Sequence, residues 1–220
     1  MRSPLKLIKP FCFISFLWIA AGGCNAQDID VVSKTTRGAS GLAIVKTKND
    51  GSDYFFVDTK TNERLGDVLK DLGGASIQDL QASWSPDGRK VAVLISYGTR
   101  LNTILVYSLN DSHKMKSVQL PNIDPVGIYD KRDPDKHLLR EAEQSAGYSE
   151  NALGGWMTND SLRIIRGEAV IGSQDDEHTK HFLIVLEVKV VGDRGRIQSE
   201  SLPGVLSNDQ AATFLSKWKR

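Results

Sequence analysis

Short apolar runs separated by turn-forming residues make up most of the chain after residue 40. Runs of four or five such residues are typical of β-strands, because a helix in a globular domain needs a longer stretch with a period of 3.6. The clearest strand candidates cover residues 42–45, 54–57, 91–95, 103–107, 162–165 and 182–186. Turn signals such as Asn49-Asp50-Gly51 lie between neighbouring candidates and favour antiparallel hairpins. The pattern therefore predicts an all-β domain built of antiparallel meanders.

Residues 121–151 interrupt this rhythm. The interval contains three prolines, Pro121, Pro125 and Pro134, and proline cannot donate to the hydrogen bonds of a central strand. Residues 135–144 have the composition of a helix of two to three turns. We therefore expect an insert that carries one short helix and separates two groups of strands.

The segment that begins at Trp84 gives the sharpest local signal. It reads Trp84-Ser85-Pro86-Asp87-Gly88 and leads into the apolar run at residues 91–95. The fixed φ of Pro86 suits the second position of a type I turn, and Asp87 suits the third. Gly88 can adopt the left-handed conformation that joins such a turn to the next strand. The segment predicts a tight hairpin.

This hairpin resembles the WD40-like β-propeller repeat of TolB-type periplasmic proteins. In that repeat an aromatic residue and a Ser-Pro-Asp-Gly turn lead into an apolar strand, and the next strand reads apolar-Tyr-x-Leu, as in Val106-Tyr107-Ser108-Leu109. A second copy keeps Trp156 and Asp160 but has neither Pro nor Gly in its turn. A third, over residues 41–69, keeps two strands without the Trp turn. The resemblance implies four-stranded meanders arranged as propeller blades.

The spacing of the copies leaves the closure of such a propeller open. Trp84 and Trp156 are 72 residues apart, whereas blades recur at about 40–50 residues. The excess is about the length of the insert. Three recognisable blades are fewer than the roughly four to eight of a closed propeller. The alternatives are an unrecognised fourth blade, an open and incomplete propeller, or a plain sandwich of two sheets.

The first 23 residues have the layout of a bacterial signal peptide. Basic residues precede an 11-residue stretch, residues 11–21, that is mainly apolar and is followed by small residues. A bilayer-spanning helix needs about 20 residues, so we expect no permanent anchor helix. Cleavage has two candidate sites. Ala21-Gly22-Gly23-Cys24 resembles a lipobox in which Cys24 is lipidated, although Ala21 replaces the usual branched residue. Cys24-Asn25-Ala26 fits cleavage before Gln27.

Either cleavage route predicts an exported domain that is held together without disulfides. The only cysteines are Cys12, in the leader, and Cys24, so no pair remains in the mature chain. We expect a tether over residues 24–40, the domain over 41–206, and a tail over 207–220 that contains a short helix at 208–215 opened by Ser207. The predicted location is the periplasm, or the cell envelope if a lipid anchors Cys24.

Charge and motifs exclude several classes of function. Three of the 28 basic residues lie in the leader and none of the 27 acidic ones does, so the mature chain carries a net charge of −2. This balance does not favour nucleic acid as a partner. The sequence contains no H-E-x-x-H motif, phosphate loop or dinucleotide fingerprint. Gly147-Tyr148-Ser149-Glu150-Asn151 lacks the final Gly of a nucleophile elbow. We therefore assign no catalytic residue and no cofactor.

One polar cluster offers an alternative. Residues 175–181 contain three carboxylates and two histidines, side chains that can ligate a divalent ion. A loop between two strands is also usually polar, and His178 and His181 would face opposite sides of a strand. We therefore assign no metal ligands, and an enzyme or metal-binding protein that uses this loop remains the alternative function.

The leading expectation is a non-catalytic exported protein that binds another envelope protein or a cell-wall component. Trp84 and Trp156 are expected to pack between sheets, and Asp87 and Asp160 to stabilise turns. Because long insertions in repeat proteins usually lie on one face, residues 121–151 are a candidate binding surface, with Leu138 and Leu139 as its apolar contacts. The competing interpretation is that the insert's helix covers an open sheet edge.

Overall fold

The computed structural model describes residues 29–35, 41–47, 53–68, 77–97, 101–132, 147–171 and 179–218. Within these ranges the chain forms three antiparallel sheets and two short helices. This confirms the predicted all-β class. The described strands do not form a closed barrel or a closed propeller. With three sheets, a two-sheet sandwich does not describe the arrangement either.

Sheets 1 and 2 are four-stranded meanders in which each strand pairs with the next along the chain. Sheet 1 consists of β1 (Ile29–Lys34), β2 (Leu42–Thr47), β3 (Tyr54–Asp58) and β4 (Arg64–Asp67). Sheet 2 consists of β5 (Asp79–Trp84), β6 (Lys90–Tyr97), β7 (Leu101–Leu109) and β8 (Met115–Val118). Both have the strand order that the repeat predicted.

Sheet 3 is larger, and its first strand is interrupted. It consists of β9 (Gly147–Ser149), β10 (Ala152–Trp156), β11 (Ser161–Val170), β12 (Lys180–Val191), β13 (Arg194–Ser201) and β14 (Val205–Leu206). Its main order is β10-β11-β12-β13, while β14 pairs with β12. Strands β9 and β10 pair with successive parts of β11. They therefore act as one edge strand that bulges at Glu150 and Asn151.

The three sheets pack in series through apolar side chains. At the first interface, between sheets 1 and 2, Phe56 packs among side chains such as Ile44 and Val93. At the second interface, between sheets 2 and 3, Val106 belongs to the same buried cluster as Ile184. Burial of these large side chains from water supplies most of the driving force for the stack.

The first helix, α1 (Pro125–Arg132), lies in the insert and packs against the second interface. Its Asp124 carboxylate accepts the Gly127 N–H at 2.9 Å, and proline is favoured at the first position of a helix. Tyr129 is buried, and its hydroxyl lies 2.9 Å from the carbonyl oxygen of Leu183. The helix predicted over residues 135–144 lies outside the described residues, as do Leu138 and Leu139. Helix α1 thus makes the described part of the insert a component of the core.

The second helix, α2 (Asn208–Ser216), matches the predicted C-terminal helix. The Gln210 side chain accepts the Ser207 N–H at 3.0 Å, which caps the first turn. Leu215 and Ala211 pack against Ile165 and Leu183 on the face of sheet 3 that points away from sheet 2. We call this contact the third interface. Among the described residues, no helix has both the length and the apolar character needed to span a membrane.

The domain boundary expected at residue 41 has to be corrected. Residues 29–34, which we placed in the tether, form β1 and pair with β2 from Ile29↔Thr47 to Lys34↔Ala43. Val31 is 60% exposed, so little burial marks this strand in the sequence. Its place is determined by backbone pairing along the edge of β2. The folded domain therefore includes residues that precede Gly41. The leader and Cys24 lie outside the described ranges.

Candidate functional site

A cleft of about 950 Å³ runs along the first strands of sheets 2 and 3. Strands β5 and β10 form its long walls, and Thr35 at the end of β1 closes one side. Residues at the start of β7, in β9 and around the end of α2 also line it. Its lining combines three tryptophans, Trp84, Trp156 and Trp218, with polar side chains. The uncharged ones include Gln81, Ser83, Ser96, Asn102, Tyr148 and Asn151, and the charged ones are Glu150, Arg163 and Lys217. A concave surface of this size and mixed polarity is the default candidate for a binding site.

Trp84 occupies the last position of β5 and joins it to sheet 1. Its indole N–H donates to the Ser33 hydroxyl of β1 at 3.0 Å. Its ring meets the Phe56 ring edge-on, with 6.4 Å between centroids. The indole is half-buried, so one side packs on the first interface while the residue also lines the cleft.

Trp156 occupies the same position in sheet 3. It ends β10, and its indole N–H donates to the Ser83 carbonyl of β5 at 2.8 Å. Each tryptophan therefore ends the first strand of its sheet and bonds to the first strand of the preceding sheet. The two bonds connect β1, β5 and β10 in series, which places the two repeat tryptophans in equivalent positions.

The turn after Trp84 is fixed by local hydrogen bonds. Gly88 has φ +70°, and its N–H donates to the Ser85 carbonyl at 2.8 Å. The Ser85 hydroxyl donates to the Asp87 carboxylate at 2.6 Å, which also accepts the Arg89 N–H at 3.1 Å. Pro86 is exposed at the tip. Asp87 is thus occupied in stabilising the turn.

Asp160 links the equivalent turns of sheets 2 and 3. The Lys90 ammonium lies 2.7 Å from the Asp160 carboxylate and also donates to the Asn159 carbonyl at 3.2 Å. Because Asp160 is more than half exposed, solvent screens this ion pair and its contribution to stability is small. The contact positions two turns relative to each other.

The bulge between β9 and β10 carries a buried polar arrangement that the sequence did not indicate. The Glu150 carboxylate lies 2.6 Å from Nδ1 of His181, and the side-chain oxygen of Asn208 lies 2.7 Å from Nε2. His181 is only 4% exposed. Hydrogen bonds to Glu150 raise the pKa of His181 against the opposing effect of burial, and the Asn208 bond raises it further. Glu150 also lines the cleft.

A second polar pair fixes the other residue of the bulge. Asn102 at the start of β7 and Asn151 exchange hydrogen bonds: the Asn151 N–H donates to the Asn102 side chain at 2.9 Å, and the Asn151 amide donates to the Asn102 carbonyl at 2.9 Å. The Ser149 hydroxyl accepts the Asn102 N–H at 2.9 Å. These bonds attach the edge strand of sheet 3 to sheet 2 beside the cleft.

The metal-binding alternative falls mostly outside the described residues, because these begin at Thr179 after the loop. His181 is described, and both of its ring nitrogens are occupied by Glu150 and Asn208. In the part of the chain that the structure describes, no group of three or more His, Cys, Asp or Glu side chains is arranged to hold a metal ion.

Glu150 and Asn208 are the site residues that sequence reasoning missed. Glu150 is 31 positions and Asn208 is 27 positions away from His181, so no local spacing relates them. In the sequence, the Gly147–Asn151 segment resembles an incomplete nucleophile elbow and forms the end of the insert at residues 121–151. The direction of the Glu150 side chain is set by a bulge that forms through tertiary packing. The local sequence pattern therefore does not predict its contact with His181.

Comparison with known proteins does not assign the chain to a family. No protein-family model matches it, and no curated protein is significantly similar to it.

Proposed function

We propose that the protein is an exported, non-catalytic binding module of the bacterial cell envelope, and that its partner is a polypeptide that docks in the cleft. The leader at residues 1–23 supports export. After cleavage, Cys24 would carry a lipid anchor, or the chain would begin at Gln27 in the periplasm.

The stacking of the sheets supports an open propeller-like arrangement of three blades. Sheets 1 and 2 are meanders of the blade type, and Trp84 and Trp156 make equivalent bonds between successive first strands. Helix α2 covers the outer face of sheet 3, where a following blade would pack. In this arrangement the first strands line the inner, concave side.

The observation that carries the proposal is that two strand edges, those of β5 and β10, meet at one cleft. Among the described strands, β1, β5 and β10 each pair on one side alone. The other edge of such a strand offers backbone donors and acceptors that an extended polypeptide can bind. The amide and hydroxyl side chains of the lining, such as Gln81 and Asn102, can form hydrogen bonds with peptide groups.

The bonds among the lining side chains favour binding over catalysis. Asn102 bonds to Asn151, Glu150 to His181, and Trp156 to the Ser83 carbonyl. These contacts make the walls rigid, and a rigid surface loses less entropy when it binds a partner.

Site-specific photo-crosslinking in the bacterial host tests the proposal. A p-benzoylphenylalanine placed at position 81, in the cleft, is compared with one at position 196, on exposed β13 of the full-length chain. We expect adducts with an envelope protein from position 81 alone, in periplasmic or membrane fractions. Equal adducts from both positions would contradict a cleft partner.

The same fractions test export. Intact mass should show a chain that begins at Cys24 or within three residues after it, with acyl groups if Cys24 is lipidated. Cys24→Ser should then move the protein from the membrane fraction to the soluble periplasm. A full-length chain that begins at Met1 would contradict export.

A further inference from the structure

His181 lies where three parts of sheet 3 meet. It belongs to β12, and its cross-strand neighbours are Ala169 in β11 and Leu206 in β14. Its side chain points to the face that α2 covers. Glu150 approaches from the bulge, and Asn208 approaches as the first residue of α2. The imidazole therefore connects the edge strand, the central strand and the helix.

The hydrogen-bond partners favour the protonated form of the ring. An ionised carboxylate only accepts hydrogen bonds, so Nδ1 must donate to Glu150. The Asn208 oxygen also accepts, so Nε2 must donate as well. Both contacts are satisfied together by the imidazolium. A neutral ring has a single N–H, so it must give up one donor or force the Asn208 amide to rotate.

Glu150 is the charged group in direct contact with the ring. Lys180 precedes His181 in β12, and Tyr148 of β9 lies beyond Ala169 in the same cross-strand row. Glu168 is on the opposite face of β11. The Arg163–Glu187 ion pair lies on the same face as His181, but six residues along β12. Asp209 is exposed in the first turn of α2. The strand neighbours Ala169 and Leu206 do not titrate. A change in protonation of His181 therefore acts mainly on the contacts to Glu150 and Asn208.

We infer that Glu150, His181 and Asn208 form a pH-sensitive latch that holds the start of α2 on sheet 3. The pKa of His181 is raised in the folded protein. The latch is therefore fully formed below the unfolded-state pKa of about 6.5 and weakens as pH rises through the higher folded-state pKa. The third interface opens more readily in alkaline than in mildly acidic medium. This inference does not depend on what the cleft binds, although Glu150 and the α2 residue Leu215 also line the cleft.

Hydrogen exchange of the purified full chain tests the latch. Protection of peptides that cover residues 207–216 is measured between pH 6 and 9 and corrected for the intrinsic exchange rate. We expect protection to fall as pH rises. The largest total decrease is roughly tenfold for each unit by which folding raises the pKa of His181. A peptide from β6, in the centre of the stack, serves as the internal reference.

Two histidine variants separate the latch from general effects of pH. His181→Gln should make protection of α2 independent of pH. His113→Gln is the matched control, because His113 bonds to Asp58 between sheets 1 and 2, with Nε2 and the carboxylate 3.1 Å apart, and it should behave as the wild type. The inference would be overturned if protection of α2 in the wild type did not change with pH. It would also be overturned if His181→Gln showed the same pH dependence as the wild type.

A direct measurement covers the case in which His181→Gln fails to fold. Nitrogen-15 NMR of the wild type reports whether each ring nitrogen is protonated. Both nitrogens of His181 should carry a proton at pH 6. A neutral His181 ring at that pH overturns the latch whatever the variants do.

Discussion

At the scale of the residue, Gly167 determines whether the bulge can form. A Cβ atom at this position would lie 2.5 Å from the Glu150 carbonyl oxygen and 2.4 Å from a methyl carbon of Leu183. The Glu150 N–H also donates to the Gly167 carbonyl at 2.8 Å. The absence of a side chain in β11 therefore lets the edge strand approach closely enough for Glu150 to reach His181.

Gly167→Ala is expected to destabilise the domain by about 1–3 kcal/mol, since the added methyl group overpacks a rigid contact. Gly147→Ala in the same sheet is the control, because its Cβ would meet nothing closer than the Ala169 carbonyl oxygen at 3.7 Å. Urea denaturation of both variants measures the difference. A Gly167→Ala protein as stable as Gly147→Ala would show that the bulge adapts.

At the scale of the element, local sequence predicts the buried strands well and the marginal elements poorly. The run at 91–95 is continuously apolar, which is typical of a strand that is buried on both faces. In β6, Val93 faces sheet 1 and Leu94 faces sheet 3, because sheet 2 is the middle of the stack. Helix α1 was missed, since it buries few side chains and its start at Asp124-Pro125 is short. A buried strand shows as a run of apolar residues in the sequence, whereas an exposed edge strand such as β1 is held by backbone pairing and shows no such run.

The tryptophans that end β5 and β10 connect neighbouring elements, which gives a second prediction. Trp156→Phe keeps most of the ring but removes the N–H donated to Ser83, so it should cost about 1 kcal/mol. Trp156→Ala also removes packing against the second interface and should cost about 3 kcal/mol. Thermal melts measure both. Met157→Ala is the control, since Met157 is 52% exposed. Equal melting of Trp156→Ala and Met157→Ala would exclude a structural role for the ring.

At the scale of the whole molecule, the outer face of sheet 3 has to be covered, and α2 covers it. The sequence predicted this helix but not its packing against sheet 3. The Ser207 signal placed α2 correctly. Nothing local indicated that Leu215 would cover Leu183, because these residues belong to separate elements. The same reason hid the contact of Glu150 with His181. A face of sheet 3 that was left uncovered would be an exposed apolar patch, and such patches promote association.

Leu215→Lys tests whether α2 ends the stack. Leu215 is 9% exposed at the third interface, and burying an unpaired ammonium there is costly, so the helix should detach. The exposed face of sheet 3 should then drive self-association, which size-exclusion chromatography with light scattering measures. Thr213→Lys adds the same charge to an exposed position of α2 and should leave the mass unchanged. If both variants have the mass of the wild type and the α2 peptides of Leu215→Lys exchange rapidly, the bare face of sheet 3 does not associate. If those peptides stay protected, Leu215 does not hold the helix in place.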